Sequence, residues 1–213
     1  VQRQIRREIA SADKKMQEIL RQIADGLQKG RLSKQSAGKG SRAWEETAAL
    51  EEHLQSCLAK AYEYRDNHFA THPEYYACYF EMRLGQCEIL DSLQEEMGRL
   101  RRFPVQAEAV AEILAYVAEH VMERNEPAAQ LERLERLLED MKRSPLPVSR
   151  EEFENRAVLY HILMELEEFL KLKKKFVELL TEEQVERYWG KPERQDEKSF
   201  RKKERTKWKK RSN

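Results

Sequence analysis

From Ile5 to Ile23 the apolar residues Ile5, Ile9, Ala12, Met16, Ile19 and Ile23 follow one another at steps of 4, 3, 4, 3 and 4. At roughly 3.6 residues per turn this lays one apolar stripe along a helix. A strand cannot use such spacing, because its side chains change face at every residue. The seam is expected to end near Gly26 and Gly30, and residues 28–42, rich in Gly, Ser and Lys, read as a flexible connection.

The same periodicity recurs down the chain. A second helix is predicted over about 43–67, with Trp44, Ala48, Leu54, Leu58 and Ala61 on its apolar side, followed by a turn at 68–73. A third starts near Glu74 and continues through Leu90, Leu93, Met97 and Leu100. Pro104 ends it or opens a fourth, carried by Val110, Ile113, Leu114, Val117 and Val121. Pro127 opens a fifth, with Leu131, Leu134, Leu138 and Met141, and Pro145 and Pro147 break it. Ser149 with Glu152 three residues on makes a capping-box signal for a long sixth helix. Its apolar residues are Phe153, Tyr160, Leu163, Phe169, Phe176 and Leu180.

No stretch alternates at period two, so the class is all-α: a bundle of about six helices, mostly long and antiparallel. Residues 1–180 are read as the bundle and 181–213 as a basic tail, disordered or partly helical. From Lys198 to Asn213 there are nine Lys/Arg against one Glu, an excess of +8, so the other 197 residues carry −7 of the net +1. Three readings of that tail stay open: a solvated end, contact with an anionic membrane leaflet, or nucleic-acid binding through phosphates with Trp208 stacking on bases.

The chain excludes several classes of function. Its longest uncharged run, from Ala157 to Met164, is far shorter than the ~18–20 residues of a membrane span. Cys57, Cys78 and Cys87 form no paired-cysteine motif, which fits a reducing compartment. His68 and His72 are four apart, but Pro73 and the turn context break the helix a metal pair would need. His53 and His161 lie singly on amphipathic helices, and neither a metal nor a cofactor is expected. Residues 36–41 imitate a phosphate loop, yet Gly40 separates Lys39 from Ser41 and no strand precedes them, so a linker is the better reading. No nucleophile, base and orienting group stand out, and the chain does not read as an enzyme.

The unusual chemistry lies in two strings. Three tyrosines and a phenylalanine occupy 75–80, followed by Glu81, Arg83 and Gln86. Tyr76, Tyr79, Phe80, Arg83, Cys87 and Leu90 share a broad helix face, which is more often core than ligand box. Tyrosine hydroxyls and a guanidinium on such a face need partners if buried. Glu154, Asn155 and Arg156, early in the sixth helix, are the candidates to supply them. The expected cluster is Tyr76, Tyr79, Glu81, Arg83, Gln86, Glu154, Asn155 and Arg156. It acts either as a polar network holding the helices in register or as a pocket for a small organic acid.

The run Ala61-Tyr62-Glu63-Tyr64-Arg65-Asp66-Asn67-His68, then Tyr75-Tyr76, Tyr79-Phe80-Glu81-Met82-Arg83 and Gln86, resembles the aromatic acid exporter family of Gram-positive bacteria, relatives of the fusaric acid resistance proteins. So do Pro145-Leu146-Pro147, Arg150-Glu151-Glu152-Phe153-Glu154-Asn155-Arg156-Ala157 and Glu165-Leu166-Glu167-Glu168-Phe169-Leu170. The resemblance covers roughly 1–176. It implies an all-helical domain on the cytoplasmic side of the cell membrane, following a bundle of membrane helices that this sequence lacks, with Val1 shortly after the last span. The implied partner is that membrane portion. The implied role is assembly, regulation or gating rather than catalysis, and no family site residues carry over. A second copy through the first-helix seam and anionic lipid through the tail are further candidate partners. The alternative is a free-standing cytosolic helical protein whose tail binds nucleic acid.

Overall fold

The computed structural model describes residues 2–28, 41–67, 74–102 and 104–190. Among them there are seven helices and no strand: α1 (Gln2–Gln28), α2 (Arg42–Asn67), α3 (Glu74–Met97), α4 (Gln106–His120), α5 (Ala128–Arg143), α6 (Arg150–Glu178) and α7 (Glu182–Trp189). The expected linker at 28–42 falls almost wholly outside the described residues, as do the turn at 68–73 with His68 and His72, and the tail beyond Gly190. Ser41 is described: its Oγ accepts from the Trp44 backbone N–H at 3.2 Å, so it caps α2.

Packing makes a ring. α1 lies between α4 and α2, α2 packs on α3, α3 on α6, and α6 closes the circle against α4, with α5 outside on α4 and α6. Sequential neighbours run antiparallel. Gln22 and Glu8 of α1 meet Glu46 and His53 of α2, while Thr47 and Tyr62 of α2 meet Gln94 and Glu81 of α3. Along α3 and α6, Gln86 reaches Phe169 and Glu96 reaches His161, again antiparallel. The α3–α6 crossing is close: a Cβ added at Gly85 would lie 3.1 Å from Leu172 Cδ1. That approach gives a mid-helix glycine a purpose against its helix cost of about 1 kcal/mol.

The α1 seam is buried along its whole length, from Ile5 at 4% exposure to Met16 at 0%. It is spent on α2 and α4 of the same chain, which removes the sequence argument for a second copy there. The α2 face is rotated from the expected one. Its buried residues are Ala43, Thr47, Leu50, Leu54, Cys57 and Ala61, while Ala48 is exposed and Trp44 and Leu58 only half-buried. Hydrophobicity alone ranks Trp and Leu above Thr and Cys, but Thr47 satisfies its hydroxyl on the Ala43 carbonyl at 2.8 Å and so enters the core. In α5 only Leu134 of the four expected apolar residues is buried, as befits a helix outside the ring.

Two helix starts bear on cap chemistry. Ser149 Oγ accepts from Glu152 N–H at 3.1 Å, as expected. The return arm differs: Glu152 Oε2 accepts from Val148 N at 2.9 Å, one residue before the cap. A complete reciprocal box occurs instead at Thr181 and Gln184, starting α7 inside the stretch expected to be tail. Contacts divide the chain into Val1–Leu179 and Leu180–Asn213. In the second unit α7 ends at Gly190, whose φ of 81° is the left-handed geometry glycine tolerates.

Candidate functional site

α3 is the helix with most reason to be polar and buried at once. Tyr75, Tyr76, Tyr79, Phe80, Arg83 and Gln86 are all at 1% exposure or less. A buried guanidinium demands five donated hydrogen bonds or ion contacts, and a low-dielectric surround makes unmet demand costly. Arg83 finds its partners across the ring. Its Nη2 donates to Asp13 Oδ1 of α1 at 2.6 Å, its Nε to Tyr79 Oη at 3.0 Å, and its Nη1 to Gln86 Oε1 at 2.6 Å. The same Nη1 lies 3.9 Å from Met16 Sδ. Tyr79 in turn donates to Asp13 Oδ1, and Gln86 Nε2 donates to the Phe169 carbonyl at 2.8 Å. One chain of polar contacts therefore joins α1, α3 and α6 through the centre of the bundle.

Charge in that centre is self-balancing. Burial opposes protonation of Arg83, but Tyr79 and Asp13 more than offset it and the guanidinium stays charged. Burial raises the Tyr79 phenol well above its ordinary range; Asp13 adds to the rise while Arg83 opposes it. Lys173 of α6 is the group left at a disadvantage. Burial, with Arg83 nearby, pulls it down to about 7, although Asp13 and Glu123 work the other way. Its Nζ donates to the Glu123 carbonyl at 2.6 Å and lies 5.0 Å from the Phe176 ring centroid. Glu123 also binds Tyr75 Oη at 2.8 Å and Arg6 at 3.4 Å, tying the loop after α4 to α3 and the start of α1.

The structure divides the eight candidate residues into two groups. Tyr79, Arg83 and Gln86 meet at the centre, with Tyr76 a turn away, its Oη accepting from Gln2 Nε2 at 3.2 Å. Glu81 points outward and takes the Tyr62 hydroxyl on α2. Glu154, Asn155 and Arg156 are not partners of Arg83. In the antiparallel α3–α6 pair, Arg83 faces the Phe169–Lys173 stretch, some four turns further along α6. Asn155 Oδ1 accepts from the Arg101 backbone N–H at 3.0 Å, fixing the end of α3. Arg156 binds Glu152 and the Pro145 carbonyl, and Glu154 pairs with Arg150 at 3.1 Å on the surface.

These last residues border an apolar corner. Phe153 is 61% exposed and Tyr160 36%, against the expectation that both face the core. With Met141, Pro145, Leu146 and Pro147 they line a groove of about 240 Å³. At the centre, by contrast, the cavity beside Arg83, Gln86 and Lys173 measures about 10 Å³, room for one water and no organic acid.

Sequence reasoning missed Asp13, Met16, Glu123 and Lys173. Asp13 sits beside the α1 seam, where a polar residue normally marks the solvated edge. Lys173 lies in the run Lys171–Lys175 and cannot be told from its exposed neighbours by type. It also missed a second group on α1 and α2. His53, read as solitary, has its Nε2 at 3.2 Å from Glu8 Oε2 and 3.6 Å from Cys57 Sγ. The i, i+4 spacing of His53 and Cys57 was the available signal.

No helix among the described residues is long and apolar enough to cross a membrane. The family model described as "Putative aromatic acid exporter C-terminal domain" matches residues 2–174. The chain is similar to "Uncharacterized protein YqjA" of Bacillus subtilis (strain 168), at 32% identity over 139 residues, 64% of this chain and 43% of that protein. It therefore spans less than half the length of that curated relative. It is also similar to the crystal structure of a "putative membrane protein" from Clostridium difficile 630, with a TM-score of 0.67 at 26% identity, over 82% of this chain and 99% of the other. A helical bundle of this topology, with a match along nearly all of it, belongs to the family of aromatic acid exporter C-terminal domains.

Proposed function

We propose that this domain lies on the cytoplasmic side of a bacterial cell membrane, joined to a membrane-spanning portion. It serves assembly or gating of a path for aromatic or other organic acids and performs no catalysis itself. The observation that carries this reading is the Asp13–Arg83–Tyr79 contact through the ring. A domain that follows membrane spans receives them through α1, and here α1 is fixed to α3 by a buried ion pair rather than by apolar packing alone. Displacement of α1 must then move α3 and α6 with it or break the pair. Every Arg83 nitrogen has a partner within the chain, which favours a mechanical part over binding of an organic anion at this place.

The placement of the helix ends supports the same orientation. α1 begins where α6 ends, since Gln2 meets Tyr76 and Tyr75 meets Phe176. The basic residues of 198–213 suit contact with an anionic leaflet. A free-standing nucleic-acid binder draws support from tail charge alone.

The test uses the intact membrane protein in cells. Cys78 is exposed while Cys57 and Cys87 are buried. An impermeant maleimide is expected to label Cys78 in inside-out vesicles and not in intact cells. Arg83→Ala is expected to abolish the reduction in cellular accumulation of aromatic carboxylic acids that the intact protein confers. Unchanged accumulation in a properly inserted Arg83→Ala protein, or labelling from outside, defeats the reading.

A further inference from the structure

We propose that Glu8 of α1 with His53 and Cys57 of α2 forms a zinc site that staples the two helices together. The three ligand atoms lie within 4.8 Å of one another. His53 and Cys57 are one helical turn apart and present their side chains to the same neighbour, where Glu8 waits on the antiparallel α1.

Two arguments separate this group from an ordinary ion pair with a nearby thiol. The first concerns His53 Nε2, a single nitrogen with one in-plane position. It either carries a proton and donates to Glu8 at 3.2 Å, or carries a lone pair and accepts from Cys57 at 3.6 Å. It cannot donate to one and accept from the other, so either Glu8 gets no bond or the thiol gets at most a weak share of an N–H aimed at Glu8. A cation among the three atoms satisfies all of them together.

The second is metric. With Zn–N and Zn–O near 2.0–2.1 Å and Zn–S near 2.3 Å, tetrahedral angles put N and O about 3.3 Å apart and N and S about 3.6 Å apart. The two separations from His53 Nε2, 3.2 and 3.6 Å, match these values, and the third, from Glu8 to Cys57 Sγ, lies within 4.8 Å.

The donor set selects the ion. Thiolate and imidazole are soft to borderline ligands that suit zinc and disfavour magnesium or calcium, which seek oxygen. Cys57 is buried, and burial followed by the Glu8 charge pushes its thiol up, so without metal it is an inert thiol. On binding, zinc takes the sulfur lone pair and the thiol proton leaves to solvent. Glu8 and His53 keep 23% and 29% side-chain exposure, which gives an entry path and leaves the fourth position to water. The consequence is a cross-link between the helix that leads into the bundle and the next one, independent of the Arg83 contact.

The experiment uses the full chain purified without a histidine tag, stripped with a chelator and kept reduced. One equivalent of Co²⁺ is expected to give a thiolate-to-cobalt charge-transfer band and the visible bands of a four-coordinate ion, both bleached by Zn²⁺. Cys57→Ser is expected to lose the charge-transfer band, while Cys78→Ser keeps it. Glu8→Gln, a near-isosteric change at a partly exposed position, is expected to weaken zinc binding by more than about tenfold, the scale on which even outer-shell partners act. Absence of the band in the wild-type chain, its persistence in Cys57→Ser, or unchanged affinity in Glu8→Gln overturns the assignment.

Discussion

The centre of the ring and the corner at Phe153 invert the usual placement of side chains. At the centre an arginine, an aspartate and a lysine are buried among tyrosines. At the corner Phe153 and Leu146 are open to solvent, beside Val148 at 95% exposure. The centre is polar but every Arg83 nitrogen has a partner within the chain, and its contacts tie α1, α3 and α6 together. The corner is apolar and uncovered, so it contributes little to the fold and remains available for contact. Burial therefore separates what stabilises this domain from what it presents, and hydrophobicity does not.

The strongest way to break this contrast is Arg83→Ala. Removing one member of a buried ion pair leaves Asp13 uncompensated, and the expected loss is about 3–5 kcal/mol in urea unfolding. A loss under about 1 kcal/mol would show that water already reaches the pair. The Arg83→Met, Asp13→Leu double replacement sharpens the point. Apolar residues of similar volume are expected to restore part of the stability, because the pair's attraction does little more than offset its desolvation, while the Tyr79 hydroxyl and Gln86 Oε1 still lose their partners. Specificity of helix pairing, rather than net stability, is then what the pair supplies.

Lys173 gives the next effect, and its sign is fixed by linkage. Its folded value of about 7 lies below the ~10.4 of an unfolded lysine. Between those values the unfolded chain binds more protons than the folded one, so stability rises with pH from about 7 toward 10. The slope approaches about 1.4 kcal/mol per pH unit at most, that of one proton. Below pH 7 both states are protonated and this contribution is flat. Lys173→Met is expected to remove the rise, measured as the difference in unfolding free energy between pH 7 and 9. A wild-type curve already flat across that window would place Lys173 in solvent.

These residues also mark where the sequence could and could not be read. The α1 seam and the proline breaks needed only periodicity and backbone sterics, which act locally. Arg83 and the tyrosines stood out because their demand for partners is intrinsic to their chemistry. Their partners did not, since Asp13 is 70 positions away and its burial depends on how three helices meet. Lys173 is typical of its run until α6 is packed against α3. Phe153 erred the other way: its spacing fits a core face, but it precedes the part of α6 that enters the ring. Local rules give helices; which polar residue goes inside is decided by packing between them.

Asn155 stands at the border between the two regions. Its Oδ1 accepts from Arg101 N at 3.0 Å and its Nδ2 donates to the Glu151 carbonyl at 2.8 Å. Asn155→Ala leaves the Arg101 amide without its acceptor, an expected cost of about 1–3 kcal/mol. Asn155→Asp keeps the acceptor and is expected to recover part of it. Equal losses in the two variants would mean that volume, not the hydrogen bond, matters at this position.

The smallest expected effect belongs to Phe153, and its smallness is informative. Phe153→Ser is expected to change stability by no more than about 0.5 kcal/mol, since the side chain is exposed and its helix is already capped by Ser149. If instead the variant lost 2 kcal/mol or more, the groove it shares with Tyr160 and Pro145 would belong to the core. The corner sits where α6 begins, the opposite end of the bundle from the start of α1. On the proposed orientation, with α1 leading from the membrane, that end would face away from the bilayer. Its apolar side chains are then too far from lipid to insert, and a neutral effect on stability would leave protein contact as the use to which they are suited.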